Sequence, residues 1–83
     1  MKRRNYIIVA KYAGEKEGTV LRRAESVEEL KEAYQDVLDY VETVASKVIG
    51  HYFGRFGLGA SYYGQIDYVN RQGRRVYVHA HLA

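Results

Sequence analysis

The sequence contains no cysteine, no proline and no tryptophan. Without cysteine the chain cannot form a disulfide, a thiolate nucleophile or a cysteine-ligated metal site. Long apolar runs are also missing, because the run at residues 6–10 falls far short of the roughly 20 residues that cross a bilayer. Nothing near the start resembles a secretory signal. These absences predict a cytoplasmic protein with no membrane segment.

The chain length of 83 residues allows one small domain. A chain of this size buries only about 60% of its unfolded surface, which is enough for one modest core. We therefore expect residues 1–83 to form a single domain. The basic residues 1–4 are expected to be a disordered tail.

Charge is divided unevenly along the chain, whose net charge is +3. Residues 25–49 carry seven acidic residues against two lysines, so that the remainder is strongly basic. The plainer interpretation is a solvated acidic helix face with ordinary basic strand ends. The functional interpretation is a two-sided body whose sheet side attracts anions.

A long helix is predicted in the middle of the chain. Ser26 and Glu29 form a capping box, and Gly50 is a natural stop. Apolar residues recur every three or four positions between them, in a stripe wide enough to pack on a sheet. The prediction is one helix over about 26–49. Such a helix would span about 35 Å against about 30 Å for a nine-residue strand, so it either overhangs the sheet or breaks near its end.

Two hairpins are predicted around this helix. Residues 5–12 and 19–24 flank a charged loop bracketed by glycines. Residues 61–70 and 74–82 flank a type I turn that ends on a left-handed Gly73. The predicted fold is α+β, a two-layer ββαββ domain with a four-stranded antiparallel sheet and one helix packed on one face. The glycine-rich residues between the helix and the third strand are predicted as a loop whose aromatic side chains, including Tyr52 and Phe53, plug the end of the core.

The turn of the second hairpin predicts a register, because it pairs Asn70 with Arg74 and each residue outward in step. One face of the hairpin is then apolar and belongs to the core. The opposite face is polar, aromatic and partly ionisable. We predict that it forms the binding face, made of Tyr63, Gln65, Asp67, Arg75, Tyr77, His79 and His81.

The first strand is apolar on both faces, although a half-exposed strand normally alternates. One helix covers only one face of a sheet, so another body must cover the second face. The excess of nine tyrosines over two phenylalanines also indicates aromatic side chains whose hydroxyl group stays in contact with water, as at protein interfaces. These features predict a small non-catalytic protein-interaction module, of the compact regulator or inhibitor type, that forms a homodimer through its tyrosine-rich outer sheet face.

Two alternative functions stay open. The first is nucleic-acid binding on the same sheet face, because stacking tyrosines beside basic residues suit single strands. Its predicted anion contacts are Arg22, Arg23, Arg55, Arg71 and Arg74. The second is a metal or small-ligand site, since two histidines two apart on a strand point the same way. Its candidate ligands are His51, Asp67, His79 and His81.

No enzyme is predicted. Asp67 and His79 lie on a diagonal of the hairpin that acid–base chemistry could use, but no third orienting residue or concave pocket accompanies them. No serine or threonine has an evident base partner. We therefore assign no catalytic residue and no cofactor, and we do not commit to a metal.

Overall fold

The fold is a five-stranded antiparallel sheet with one helix packed across one face, as a computed structural model describes it for residues 5–56 and 61–83. For residues 55–56 and 61–63 only the path of the backbone is described. The predicted tail at residues 1–4, and residues 57–60 of the predicted loop, lie outside the described residues. The elements in chain order are β1 (Tyr6–Tyr12), β2 (Thr19–Ala24), α1 (Val27–Val44), β3 (Ala45–Phe56), β4 (Ser61–Asn70) and β5 (Arg75–Leu82).

The strand order in the sheet is β2-β1-β5-β4-β3, so β1 lies in the interior and pairs with β5 near the other end of the sequence. All neighbouring strands are antiparallel. The predicted α+β class, with one helix on an antiparallel sheet, is confirmed. The predicted strand count was one too low, because the sheet has five strands and not four.

The missing strand comes from the predicted helix over 26–49, whose C-terminal end is wrong. α1 ends at Val44, and Ala45 begins β3 with an extended backbone, at φ −78° and ψ 142°. The β-branched pair Val48 and Ile49 favours a strand. The same pair also continues the apolar stripe of the predicted helix, because a short apolar run fits both the helical period and the strand period. The real helix is about 27 Å long, close to the length of the strands that it covers.

Tertiary hydrogen bonds hold the chain where the helix ends. The Arg71 guanidinium donates to the carbonyl of Thr43 at 3.2 Å. The Ser46 hydroxyl lies 3.1 Å from the carbonyl of Asn70 and 3.2 Å from that of Val69. The first bond satisfies a carbonyl that has no partner within a helix, and the others attach the start of β3 to the end of β4.

The loop predicted for residues 50–60 is a strand as far as Phe56. Gly50 is not a helix stop, because it pairs within the sheet. Tyr52 does not plug the core, since 48% of it is exposed. Phe53 does pack against the core. Tyr52 and Phe53 lie on opposite sides because successive residues of a strand point to opposite faces of the sheet. No folded-back loop is needed to separate them.

Both predicted hairpins are confirmed. In the second turn Gly73 has a φ of +82°, and its N–H donates to the Asn70 carbonyl at 3.0 Å. The Asn70 N–H donates to the Arg74 carbonyl at 2.8 Å, which sets the register. The predicted pairs that the sheet contains are Gly64–Ala80, Gln65–His79, Ile66–Val78, Asp67–Tyr77, Tyr68–Val76 and Val69–Arg75.

The predicted start of the helix is also correct. The Glu29 N–H donates to Ser26 Oγ at 3.2 Å. The Glu29 carboxylate accepts from the N–H of Glu25 at 3.0 Å, one residue before the cap. From this cap α1 presents its apolar stripe to the sheet. Its buried residues are Leu30, Tyr34, Val37, Leu38 and Val41.

Tyr34 joins the helix to β3 and β4. Its ring packs against Phe53 with the two ring centroids 4.9 Å apart. Its hydroxyl donates to the Gln65 carbonyl at 3.0 Å, and burial raises the pKa of the hydroxyl, although a hydrogen bond with the Tyr52 backbone lowers it. Both rings lie over Gly64, where a Cβ would be 2.9 Å from Phe53 and 3.0 Å from Tyr34. Only glycine leaves room for this ring pair.

We expect Gly64→Ala to lower the free energy of unfolding by about 1–3 kcal/mol, because the added methyl group overpacks the ring pair. Gly50→Ala is the matched control, since a Cβ at this strand glycine meets no atom within 4 Å. Its effect should stay within about 0.5 kcal/mol. Urea unfolding of both variants and the parent measures the difference. Equal stability of the two alanine variants would show that the rings do not require glycine.

Candidate functional site on the outer sheet face

The sheet face opposite α1 is called the outer face. Residues paired across neighbouring strands point to the same side of a sheet, so they form rows across it. One row crosses all five strands and contains Val20, Val9, His79, Gln65 and Tyr52. On one side of this row lie Ile7 and His81, and on the other side lie Lys11, Tyr77 and Asp67.

Six residues of the predicted binding face occupy this outer face together. They are Gln65, Asp67, Arg75, Tyr77, His79 and His81. The seventh, Tyr63, belongs to β4 and pairs with Gly54, but its side chain lies outside the described residues. The hairpin register therefore brings the predicted residues of β4 and β5 to one surface.

Other residues of the outer face were not predicted as part of a site. Ile7 and Val9 are half-buried there, and Val20 is 42% exposed. The signal for the first two was visible, because β1 reads as apolar on both faces. Tyr52 had no such signal, since its place on the face depends on β3 being a strand.

Asp67 and Arg75 form a two-bond ion pair on the outer face. Arg75 Nε lies 3.0 Å from Asp67 Oδ1, and Nη2 lies 2.6 Å from Oδ2. The hydrogen bonds from Arg75 lower the pKa of the Asp67 carboxyl. The guanidinium also lies 5.3 Å from the centroid of the Tyr77 ring. Since both carboxylate oxygens accept from Arg75, Asp67 is poorly placed to orient His79 for acid–base chemistry.

His79 lies in the middle of the central row, between Val9 on β1 and Gln65 on β4. Partial burial lowers the pKa of its imidazole, and the nearby charges of His81 and Lys11 act in the same direction. The neutral form is therefore favoured in the folded chain. His79 therefore adds little charge to the middle row of the outer face at neutral pH.

The predicted anion contacts do not come together. Arg71 donates to the Thr43 carbonyl at the end of α1. The Arg74 guanidinium lies 3.7 Å from the centroid of the Tyr12 ring, which belongs to the face that α1 covers. Arg22 donates to the carbonyl of its neighbour Leu21. These arginines serve separate structural contacts and do not form a shared patch.

The two remaining predicted anion contacts give little support to such a patch. Arg23 is exposed on β2 and pairs with Ile7, at the margin of the outer face. Arg55 belongs to β3, and its side chain lies outside the described residues. The described arginines are therefore dispersed over the molecule.

The four candidate metal ligands do not converge. His79 and His81 lie on the outer face, whereas His51 pairs with Ile66 on the side of the sheet that α1 covers. Asp67 is engaged by Arg75, as described above. Among the described residues, no group of three or more histidines, cysteines and acids could hold a metal ion.

The chain is thus a small α+β domain with an antiparallel sheet. Comparison with protein-family models, with curated proteins and with solved structures finds no match for it. Within the described part of the chain, no helix combines the length and the apolar character that crossing a membrane requires.

His79 should make the stability of the fold depend on pH. Because the folded chain lowers the pKa of this histidine from 6.5, the unfolded chain binds more protons as the pH falls below about 6.5. The free energy of unfolding should therefore fall with pH in that window. In His79→Gln this part of the pH dependence should disappear, and urea unfolding between about pH 8 and pH 5 measures it.

The same series contains its own control. At about pH 8 the imidazole is neutral in both states, so the difference between His79→Gln and the parent reports packing alone. If the variant lost stability below pH 6.5 as steeply as the parent, His79 would not be the group responsible.

Proposed function

We propose that this chain is a small non-catalytic protein-interaction module that forms a homodimer, each copy burying the outer face of its sheet against the same face of the other. One observation carries the proposal. β1 lies in the interior of the sheet and presents Ile7 and Val9 to the outer face, while α1 packs on the opposite face. Burial of apolar surface is the main favourable contribution to association.

The distribution of side chains on the outer face supports an interface. Its centre contains the aliphatic Val9, the aromatic Tyr77 and the imidazole of His79. Arg23 lies toward the margin, Lys11 lies beside Tyr77, and the carboxylate of the face is already paired. An apolar and aromatic centre with a polar rim is the usual anatomy of a protein interface.

The area of the face is sufficient for a specific dimer. Five strands at about 4.8 Å each make the sheet about 24 Å wide, and strands of seven residues are about as long. A full face-to-face contact would cover about 600 Å² on each copy, or about 1,200 Å² in total, which is the lower limit for specific interfaces. The whole outer face is therefore needed, which favours a symmetric arrangement of two identical faces.

His79 is compatible with being covered. A buried charge is costly unless it is paired, whereas a neutral imidazole needs only hydrogen bonds. Because partial burial already favours the neutral imidazole in the single chain, a second copy need not displace a proton at neutral pH. His79 therefore adds no buried unpaired charge to the predicted interface.

Nucleic-acid binding on the same face is the second candidate. Tyr52 is 48% exposed and Tyr77 lies beside Arg75, which gives aromatic rings on which bases could stack. Two observations reduce the support for it. The Arg75 charge is neutralised by Asp67, and the other described arginines are dispersed.

Val9→Lys should abolish the dimer, because it places a charge at the centre of the proposed interface. Size exclusion with light scattering should give the parent twice the chain mass of 9.6 kDa as its concentration rises. The variant should stay at 9.6 kDa. Gln35→Lys is the charge-matched control, since Gln35 lies on the exposed side of α1 beside Asp39. It should dimerise as the parent does.

Thermal unfolding must show that Val9→Lys is folded. If it is not, Tyr77→Lys tests the same face from β5, where the side chain is only half-buried. A parent chain that remains monomeric at millimolar concentration would rule out the homodimer.

Salt should separate the two candidates. Lys11 and Arg23 would bring like charges together in a face-to-face dimer, so dimerisation should strengthen severalfold as salt screens them. Binding of a labelled single-stranded oligonucleotide would instead weaken steeply with salt. Sedimentation equilibrium and fluorescence anisotropy measure the two. Tight oligonucleotide binding that is lost as salt rises would favour the second candidate.

A further inference from the structure

β3 forms an edge of the sheet and lies beside β4. Its pairing shifts register twice in its first half, but it runs without a bulge from Gly50 to Phe56. The chain has no proline that would block this stretch. A long, regular edge is a surface on which an extended segment can add as a further strand.

The register shows which backbone groups face the open side. The Asn70 N–H donates to Arg74 of β5, so alternate residues of β4 point toward β5, and the residues between them, including Gln65, point toward β3. Gln65 pairs with Tyr52, whose backbone groups therefore face β4. Those of the preceding residue, His51, face away from the sheet.

A surface depression of about 220 Å³ lies at the same edge. Ile49 and Tyr52 contribute exposed apolar walls, since they are 45% and 48% exposed. An added strand projects every second side chain toward one face, so one of them would lie over this depression. The full lining is Ile49, Gly50, His51, Tyr52, Gln65 and Asp67.

The charge of β3 indicates what kind of segment fits. The strand contains the basic residues Lys47 and Arg55 and no acidic residue. The one carboxylate beside the depression, Asp67, is bonded to Arg75. A second copy of β3 would bring like charges together, whereas an acidic segment would be complementary.

The opposite edge of the sheet is less suited to such addition. β2 has only six residues, against twelve in β3. A bulge between Ile8 and Val9 divides its short pairing with β1, whereas the two shifts of β3 leave seven residues in regular register, from Gly50 to Phe56. Short length and bulges are the features that protect an edge from further pairing.

We propose that the β3 edge binds an extended acidic segment of a partner protein, which adds as a strand beside His51 and places an apolar side chain over Ile49 and Tyr52. The added strand would gain affinity from main-chain hydrogen bonds and specificity from the depression. This proposal does not rest on the outer-face dimer, because the main-chain groups that it uses lie at the open edge of β3. The depression shares Tyr52, Gln65 and Asp67 with the outer face, so a full face-to-face dimer would compete with the added side chain.

The probe is a blocked peptide of about nine residues that alternates glutamate with valine, and the control peptide has lysine in place of glutamate. Fluorescence anisotropy should show the lysine peptide binding at least about tenfold more weakly. Amide hydrogen exchange by NMR should slow at His51 when the glutamate peptide is bound. His51→Pro should weaken binding at least about tenfold, because it removes an outward-facing N–H and keeps the bonds to β4.

Tyr52→Ser gives a second variant, which should also weaken binding while leaving the strand backbone unchanged. Val9→Lys, which removes the competing dimer, should bind the peptide at least as tightly as the parent does, so failure of the dimer and failure of the edge site are distinguishable. Absence of binding, equal binding of both peptides, or protection at β2 instead of His51 would overturn the proposal. So would protection of His51 in the protein alone as its concentration rises, since the occupant would then be a second copy.

Discussion

The packing of Tyr34 and Phe53 over Gly64 is the contact on which the rest of the structure depends. β3 is an edge strand that pairs with β4 on one side only, and the packing of Tyr34 on Phe53 also attaches it to the helix. The Tyr34 hydroxyl reaches the Gln65 carbonyl, so the helix also bonds to β4. With β3 placed in this way, Tyr52 reaches the outer face and the backbone of the preceding residue faces the open edge.

The parts of the fold that depend on local chemistry could be predicted from the sequence. Asn70 and Gly73 specify their turn, and the register of β4 and β5 follows from it. The end of α1 could not be predicted, because it depends on a tertiary bond from Arg71 to the helix and on a β-branched run that fits two periods. The polar residues of the outer face follow from the register of β4 and β5 and could be predicted. Tyr52 could not, because its position depends on where α1 ends and β3 begins.

Charge gives the molecule three different surfaces. α1 carries six acidic residues against one lysine, and all six acidic residues are exposed. The middle row of the outer face carries little charge, because the neutral form of His79 is favoured, and the row beside it holds Lys11 and the paired Asp67. β3 itself contains no acidic residue. A middle row of low charge suits contact with an identical face, whereas a basic edge suits a different and acidic partner.

The central claim is that a second copy covers the outer face. The most direct test is an NMR dilution series that follows the amide and methyl signals of the whole chain. We predict concentration-dependent shifts at Ile7, Val9 and His79, with none on the exposed side of α1. Shifts confined to α1, or spectra that do not change between millimolar and micromolar chain, would contradict the account.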